Sequence, residues 1–335
     1  MKTNLLIAAF TLSSLIACKE KETQAQDSAQ VEETANEPAT YAEISIKEGG
    51  SWNEQERTYQ DGTFKNVDSL DLPALHTDHS WYIRYEGPGW ENKNIAYRLY
   101  LDWRNAIDIF GKKADTLVLP YVGQDNFDSY HEAAPWGQDI LKAGKSLGIG
   151  GYGRYTGDTI AHFNTVDQTK VKVANADAKS TVTIDYTGWK TGSVTTDLQT
   201  VLSIFPEGTF TKIELTPGSE IDGLATGIVK FKDIPLMQET SASGDWAYIA
   251  TYGAQTLVSD EDLLGMVIFY KTSQLQEITD GPHDHFLIFK PTTEKITYYI
   301  SGSWNGQKEG IPDEEGFKTD LDKKLKDLDN KGMLE

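Results

Sequence analysis

Tyr130-His131-Glu132 is the first place where residue types and spacing could do chemistry. Tyr and His both transfer protons, and both can be tuned toward neutral pH. Such a pair suits proton abstraction in acid–base catalysis. In an extended chain the two side chains point to opposite sides, so only one of them would face a substrate. His131 is the candidate base, Tyr130 its partner, and Glu132 a polar contact beside them. The plain alternative is a turn cluster with a surface histidine.

A second group lies on the run Ala96 to Asn105. Read as a strand, it puts Tyr97, Leu99, Leu101 and Trp103 on one face and Arg98, Tyr100, Asp102 and Arg104 on the other. A face of Arg, Tyr, Asp and Arg is expensive to bury without partners. It therefore faces water, lines a polar cleft, or closes on itself as an Arg98–Asp102–Arg104 network. In a cleft, an arginine fork binds a carboxylate bidentately. His283-Asp284-His285 forms a third group, at the start of a predicted strand after Gly281-Pro282. Two histidines on one face, joined by a carboxylate from elsewhere, would suit a divalent metal; protonated, they would suit a sugar carboxylate. His76 and His79 frame Asp78, but no helix is predicted there to make that spacing a metal site.

Gly144-Lys145-Ser146-Leu147-Gly148-Ile149-Gly150-Gly151 invites a phosphate-loop reading. It fails, because Lys145-Ser146 precedes most of the glycines and follows a predicted helix instead of opening one. Tight turns and close backbone approach explain the glycines better. Lys145 stays a candidate substrate contact. Eight tryptophans are many for this length. A sandwich core absorbs several, while rings exposed in a cleft would stack on sugar faces. Trp103 and Trp136 lie beside the chemical groups and are the candidates for that role.

The elements that must position these groups read as β-rich. Strands are predicted at Trp81 to Glu86, Ala96 to Trp103, Ser180 to Trp189, Ser193 to Ile204, Lys212 to Leu215, Leu224 to Phe231, Trp246 to Thr251, Leu264 to Tyr270, His285 to Phe289 and Ile296 to Ile300. Strands in that number, without regular βαβ alternation, point to a large antiparallel β-sandwich and away from Rossmann or barrel α/β architectures. Two helices are expected. One runs from Pro135 to Leu147 and stops at Gly148. The other carries Phe317, Leu321, Leu325 and Leu328 on one face near the C-terminus.

The chain has 335 residues, 51 acidic against 31 basic, for a net charge of −20. That balance excludes nucleic-acid binding through a general basic surface. A single cysteine excludes a disulfide framework and a Cys-rich zinc site. That cysteine is Cys18, at the end of the apolar run Leu5 to Ile16, and Leu15-Ile16-Ala17-Cys18 resembles a bacterial lipobox. The expectation is an exported lipoprotein, periplasmic or on the cell surface, with signal residues 1–18 and a lipid on Cys18. An acidic flexible tether follows over 19–41, then one domain over 42–335.

Several blocks together resemble a known family. They are Gly87-Pro88-Gly89-Trp90-Glu91, Tyr97 through Lys112, Ser129-Tyr130-His131-Glu132, Trp136 through Lys142 and Gly144 through Gly150. The family comprises exported bacterial domains from polysaccharide-utilisation clusters and includes an ulvan-oligosaccharide dehydratase. The resemblance implies a supersandwich similar to that of galactose mutarotase. It also implies removal of water across C4 and C5 of a glucuronic or iduronic acid at the non-reducing end. The partner would be an anionic, sulfated, uronate-containing oligosaccharide. Abstracting the C5 proton builds charge on the carboxylate, which needs a cation; Arg104 or Arg98 would serve, with a histidine-held metal as the rival. No cofactor is firmly implied. His131 would act as base, with His283 or His285 opposite it, and Arg98, Tyr100, Asp102, Trp103, Glu132, Trp136 and Lys145 would line the cleft. A polysaccharide lyase or sugar epimerase on the same scaffold would use nearly the same groups. A non-catalytic glycan-binding lipoprotein would show exposed Trp platforms without a proton-transferring pocket.

Overall fold

A computed structural model of the chain describes residues 38–335. The expected signal, Cys18 and the tether up to residue 37 lie outside the described residues. The tether's expected last residues do not: Thr40–Glu43 is a strand, paired antiparallel with Gly89–Asn92. Thr40 and Tyr41 read as the end of a segment nearly free of large apolar residues. The strand becomes ordered because its residues find partners. Thr40 Oγ1 meets Ser180 Oγ at 2.8 Å, the Ala42 amide donates to Asn175 Oδ1, and Glu43 accepts from Arg84 and Tyr85.

The fold is mainly β, as the strand count predicted. A nine-stranded antiparallel sheet runs Met237–Thr240, Trp246–Ala254, Leu263–Lys271, Ile296–Trp304, Phe210–Pro217, Val194–Ile204, Lys179–Thr191, Gln168–Ala176, Ser69–Asp71. Two five-stranded sheets accompany it. One runs Thr40–Glu43, Gly89–Asn92, Ala96–Leu99, Ile107–Lys112, Gly137–Asp139; the other Ile160–Ala161, Ile149–Tyr155, Leu224–Val229, Asp284–Phe289, Leu275–Asp280. Period-two alternation sends Val182, Ile184, Tyr186, Leu198, Leu202, Ile213 and Ile300 of the large sheet into one core. There they meet Tyr97, Ile107, Ile109, Ile149 and Leu287 of the smaller sheets. That is a sandwich, and the core lies between the layers.

The large sheet's other face needs its own cover. Tyr248, Val267, Phe269 and Tyr299 alternate onto it, and the helix Glu314–Lys331 lays Phe317, Leu321, Leu325 and Leu328 against them, as their spacing predicted. Asp313 caps the helix by accepting from the Gly316 amide. Gly332 closes it in the left-handed region at φ 74°. Among the described residues, no helix is long and apolar enough to cross a membrane.

Three local expectations fail, each where buried polar pairing overrides propensity. The helix predicted from Pro135 to Leu147 is absent. Gly137–Asp139 pairs instead with Lys112, Gly111 and Phe110, and the Ile140 amide donates to Ile109 O. Gly137 stands at φ +134°, and a Cβ there would lie 1.8 Å from Gly111 O. The strand predicted at Trp81 to Glu86 is a tight 3₁₀ turn over Arg84–Glu86, with Trp81, Tyr85 and Glu86 all at positive φ. The strand predicted through Trp103 stops at Leu99, because Asp102 Oδ1 accepts the Arg104 amide at 2.8 Å and turns the chain.

Candidate active site

The strands Ala96–Leu99, Ile107–Lys112 and Gly137–Asp139 lie side by side, and each contributes one charged side chain to a buried cluster. Arg98 donates Nη2 to Asp108 Oδ2 at 3.1 Å and to Asp139 Oδ2 at 2.8 Å. The Tyr100 hydroxyl sits 2.6 Å from the same Nη2 and donates to Asp108 at 2.8 Å. Arg98 is wholly buried, as are both carboxylates. Two carboxylates share one guanidinium, so burial and the nearby Asp139 charge push the Asp108 carboxyl above its ordinary range. Burial also drives the Tyr100 phenol well upward.

The cluster reaches the surface at His131. Its Nδ1 lies 2.9 Å from Asp139 Oδ2, and its side chain is 40% exposed. Tyr130 packs against it with ring centroids 4.1 Å apart. The Tyr130 hydroxyl is buried without a hydrogen-bond partner, and the Arg98 guanidinium lies 4.6 Å from the ring centroid. Burial pushes this phenol up to about 12, so it stays protonated at neutral pH.

A second arm starts from Arg104. Its guanidinium lies 4.0 Å from the Tyr100 ring centroid. It donates Nε to both oxygens of Asp102, at 2.9 and 3.1 Å, and Nη2 to Glu86 Oε1 at 2.8 Å. Burial works against the Arg104 charge, but Asp102 and Glu86 more than restore it. Burial would raise the Glu86 carboxyl too, yet Arg104 and Arg98 hold it below its usual range. Glu86 Oε1 also accepts the His79 amide at 3.0 Å, and the His79 ring nitrogen Nδ1 lies 3.6 Å from Asp78. His79 is exposed and stacks obliquely on Phe127, centroids 5.4 Å apart; Phe127 meets Tyr130 edge-on at 6.2 Å. His79 and His131 thus flank one aromatic pair, and each has a carboxylate behind Nδ1.

Backbone strain concentrates here. His79, Trp81, Tyr85, Glu86 and Asn105 all have positive φ. Such conformations persist only where surroundings over-determine them. The ion pairs just described and Glu43 accepting from Arg84 and Tyr85 do that around residues 79–86, while Asn105 donates to Tyr152 O and accepts from the Tyr186 hydroxyl.

Several residues expected from sequence therefore meet: Tyr130, His131, Arg98, Tyr100, Asp102 and Arg104. Their roles differ from the expectation. Arg98 was expected to line a cleft and is sealed by Asp108 and Asp139. Arg104, 12% exposed, is engaged by Asp102 and Glu86. The Tyr100 hydroxyl is spent inside the cluster. Trp103 packs edge-on against His162 at 5.3 Å and lines a separate cavity of about 420 Å³ with Arg57, His76 and Asp102. Trp136 is half-buried against Phe110. Glu132 and Lys145 are exposed.

His283 and His285 do not join this group. His283 is exposed and precedes the strand Asp284–Phe289. His285 is buried, its Nδ1 2.6 Å from Asp280 Oδ1. The two rings differ in exposure, and His285 is engaged by Asp280. Among the described residues, no group of three or more His, Cys, Asp or Glu side chains is arranged for a metal ion. The sequence reading missed His79, Glu86, Asp108 and Asp139 as site residues. Asp108 was legible only as a charge inside an otherwise apolar strand-like run; Asp139 lay in a stretch read as helix, and nothing in the sequence pointed it at Arg98.

Fold and cluster together define a mainly-β sandwich protein whose small sheet carries a buried arginine–carboxylate network opening at two histidines. The chain belongs to the family described as "Domain of unknown function (DUF4861)", which it matches over residues 8–332. No curated protein matches it, and no solved structure does.

Proposed function

We propose that the protein is an acid–base lyase for uronate-ended oligosaccharides, a dehydratase that removes water across C4 and C5. The observation that carries this reading is His131: an exposed ring whose Nδ1 is pinned 2.9 Å from a carboxylate that is itself fixed by a buried arginine. In its neutral form the imidazole donates Nδ1–H to Asp139 and presents Nε2 as a base. The resemblance noted in the sequence adds the substrate class.

In this reading His131 Nε2 takes the proton from C5, and the electron pair moves toward the uronate carboxyl. The C4–O bond then breaks, the C4=C5 double bond forms, and the departing hydroxyl gains a proton to leave as water. In glucuronate the C5 hydrogen and O4 share a ring face, so the protonated His131 could return that same proton. In iduronate they lie on opposite faces, and a protonated His79 is the second donor. Atoms balance without a co-reactant. Of the two arginines only Arg104 keeps any access to a substrate carboxylate, being 12% exposed where Arg98 has none. Tyr130, with its hydroxyl buried, acts as a positioning residue behind His131.

The test is mass spectrometry with ultraviolet absorbance on uronate-ended ulvan oligosaccharides. Loss of one water, a new conjugated uronate chromophore and unchanged chain length are expected. His131→Ala should lower turnover by about 10²–10⁴-fold, the usual worth of a general base, without changing the melting temperature. Full activity of that variant would overturn the assignment. Chain shortening would indicate a polysaccharide lyase instead.

A further inference from the structure

Next to His79 the surface folds into a hollow of about 470 Å³, lined by Thr58, Tyr59, Gln60, Asp61, His79, Trp81 and Phe127. That volume lies in the ~300–1,000 Å³ range of small-molecule sites. Its walls combine three aromatic rings with short polar groups, the mixture that suits a sugar ring: apolar C–H faces against aromatics and hydroxyls against a polar rim.

The aromatic rings are held in place. Tyr59 belongs to the hairpin Ser51–Asn53/Thr58–Gln60, and its amide donates to Ser80 O at 2.7 Å, tying the hairpin to the strained segment His79–Trp81. Its ring packs edge-on against Trp52 at 5.3 Å and leans on Tyr82 at 5.2 Å. The Lys47 ammonium sits 3.2 Å from the Trp81 ring centroid. Trp81 itself stands at φ 52°, a conformation that costs free energy and places this side chain where an ordinary strand would not. Of the eight tryptophans, Trp90, Trp189, Trp246 and Trp304 are core residues. Trp81 lines this hollow.

Asp61 lines the hollow, and the Lys47 ammonium sits against its Trp81 wall, so both signs of charge are present there. Phe127 is shared between the hollow and the Tyr130–His131 pair. We propose that the hollow is a subsite for a sugar ring, the residue next to the uronate that His131 attacks. This rests on the lyase reading for its neighbour, while binding in the hollow is measurable on its own.

The experiment titrates unsulfated uronate-ended di- and trisaccharides into the full-length protein by calorimetry and, in parallel, follows their turnover. The variants are Tyr59→Ala and, because Tyr59 supports the hairpin, Gln60→Ala, which is exposed and cannot unfold it. If the hollow binds the neighbouring ring, both variants weaken trisaccharide binding, Tyr59→Ala by about tenfold or more. KM for the trisaccharide then rises in step while kcat changes little. Equal effects on a free uronic acid and on the trisaccharide would overturn the subsite and leave the lyase reading standing. Loss of trisaccharide binding in the variants, with no elimination product from any substrate, would uphold the subsite and sink the lyase. Unchanged trisaccharide affinity in both variants would overturn the subsite whatever the turnover.

Discussion

Replacing Asp284 by asparagine should raise stability relative to wild type progressively as the pH rises. Asp284 is 2% exposed, and its Oδ1 accepts the Leu147 amide at 2.8 Å. Burial outweighs that single hydrogen bond and raises the carboxyl from 3.8 to about 7. A carboxyl whose pKa is higher folded than unfolded binds more protons in the native state. Stability therefore falls as pH rises between the two values, and the whole penalty is present above the folded one. At about 1.36 kcal/mol per pK unit, the penalty is on the order of 2 kcal/mol near pH 5 and 4 kcal/mol near pH 8. The substituted side-chain amide can still accept from Leu147 but never ionises. Its fixed cost, a buried NH₂ of about 1–3 kcal/mol if unpaired, is the same at both pH values. The difference between the two measurements is thus insensitive to it. Urea unfolding followed by tryptophan fluorescence should give a variant-minus-wild-type stability about 2–3 kcal/mol higher near pH 8 than near pH 5. Equal values at the two pH settings would refute the claim that Asp284 is an ionised, poorly solvated group. They would also reopen a chemical role for the 283–285 segment.

Two further perturbations test the parts that position the site. Arg98→Met leaves Asp108 and Asp139 buried around an apolar side chain and should cost about 3–5 kcal/mol, the usual penalty for removing one partner of a buried ion pair; a melting temperature within a degree or two of wild type would show that the network is not what holds these strands. Phe317→Ala empties the contact with Gly265, Tyr252 and the rest of the outer face and should cost about 3–5 kcal/mol, measured by the same unfolding assay. Loss well below that would mean that the helix docks mainly through its leucines.

The candidate site was only half legible in the sequence. Tyr130-His131 stood out because both types transfer protons, and the Arg98–Arg104 run because charges alternated with apolar residues. What that run could not disclose was its partners. The carboxylates that neutralise Arg98 come from residues 108 and 139, on two other strands. A strand that had continued through Trp103 would have carried Arg104 away from Glu86. The turn at Asp102 brings the guanidinium back over Tyr100. His79 was weighed only with His76 around Asp78, as a metal spacing, and set aside because no helix is predicted there. It enters the site through Glu86, which fixes its amide, and Phe127, which lies beside its ring.

The sequence by itself determined the class of fold. Period-two alternation in the later strands and the spacing of Phe317, Leu321, Leu325 and Leu328 are local patterns, and burial follows them directly. It also determined the charge balance, a net −20. Tertiary structure alone decided where local propensity would lose. Pro135 to Leu147 has a helix's start and stop signals, yet its backbone completes the small sheet and delivers Asp139 to Arg98. Trp81 to Glu86 alternates like a strand, yet Arg84, Glu86 and Glu43 pull it into a strained turn. Desolvating an unpaired charge costs several kcal/mol, more than helix or strand propensity contributes over so short a run. Those charges find partners only once distant strands have come together.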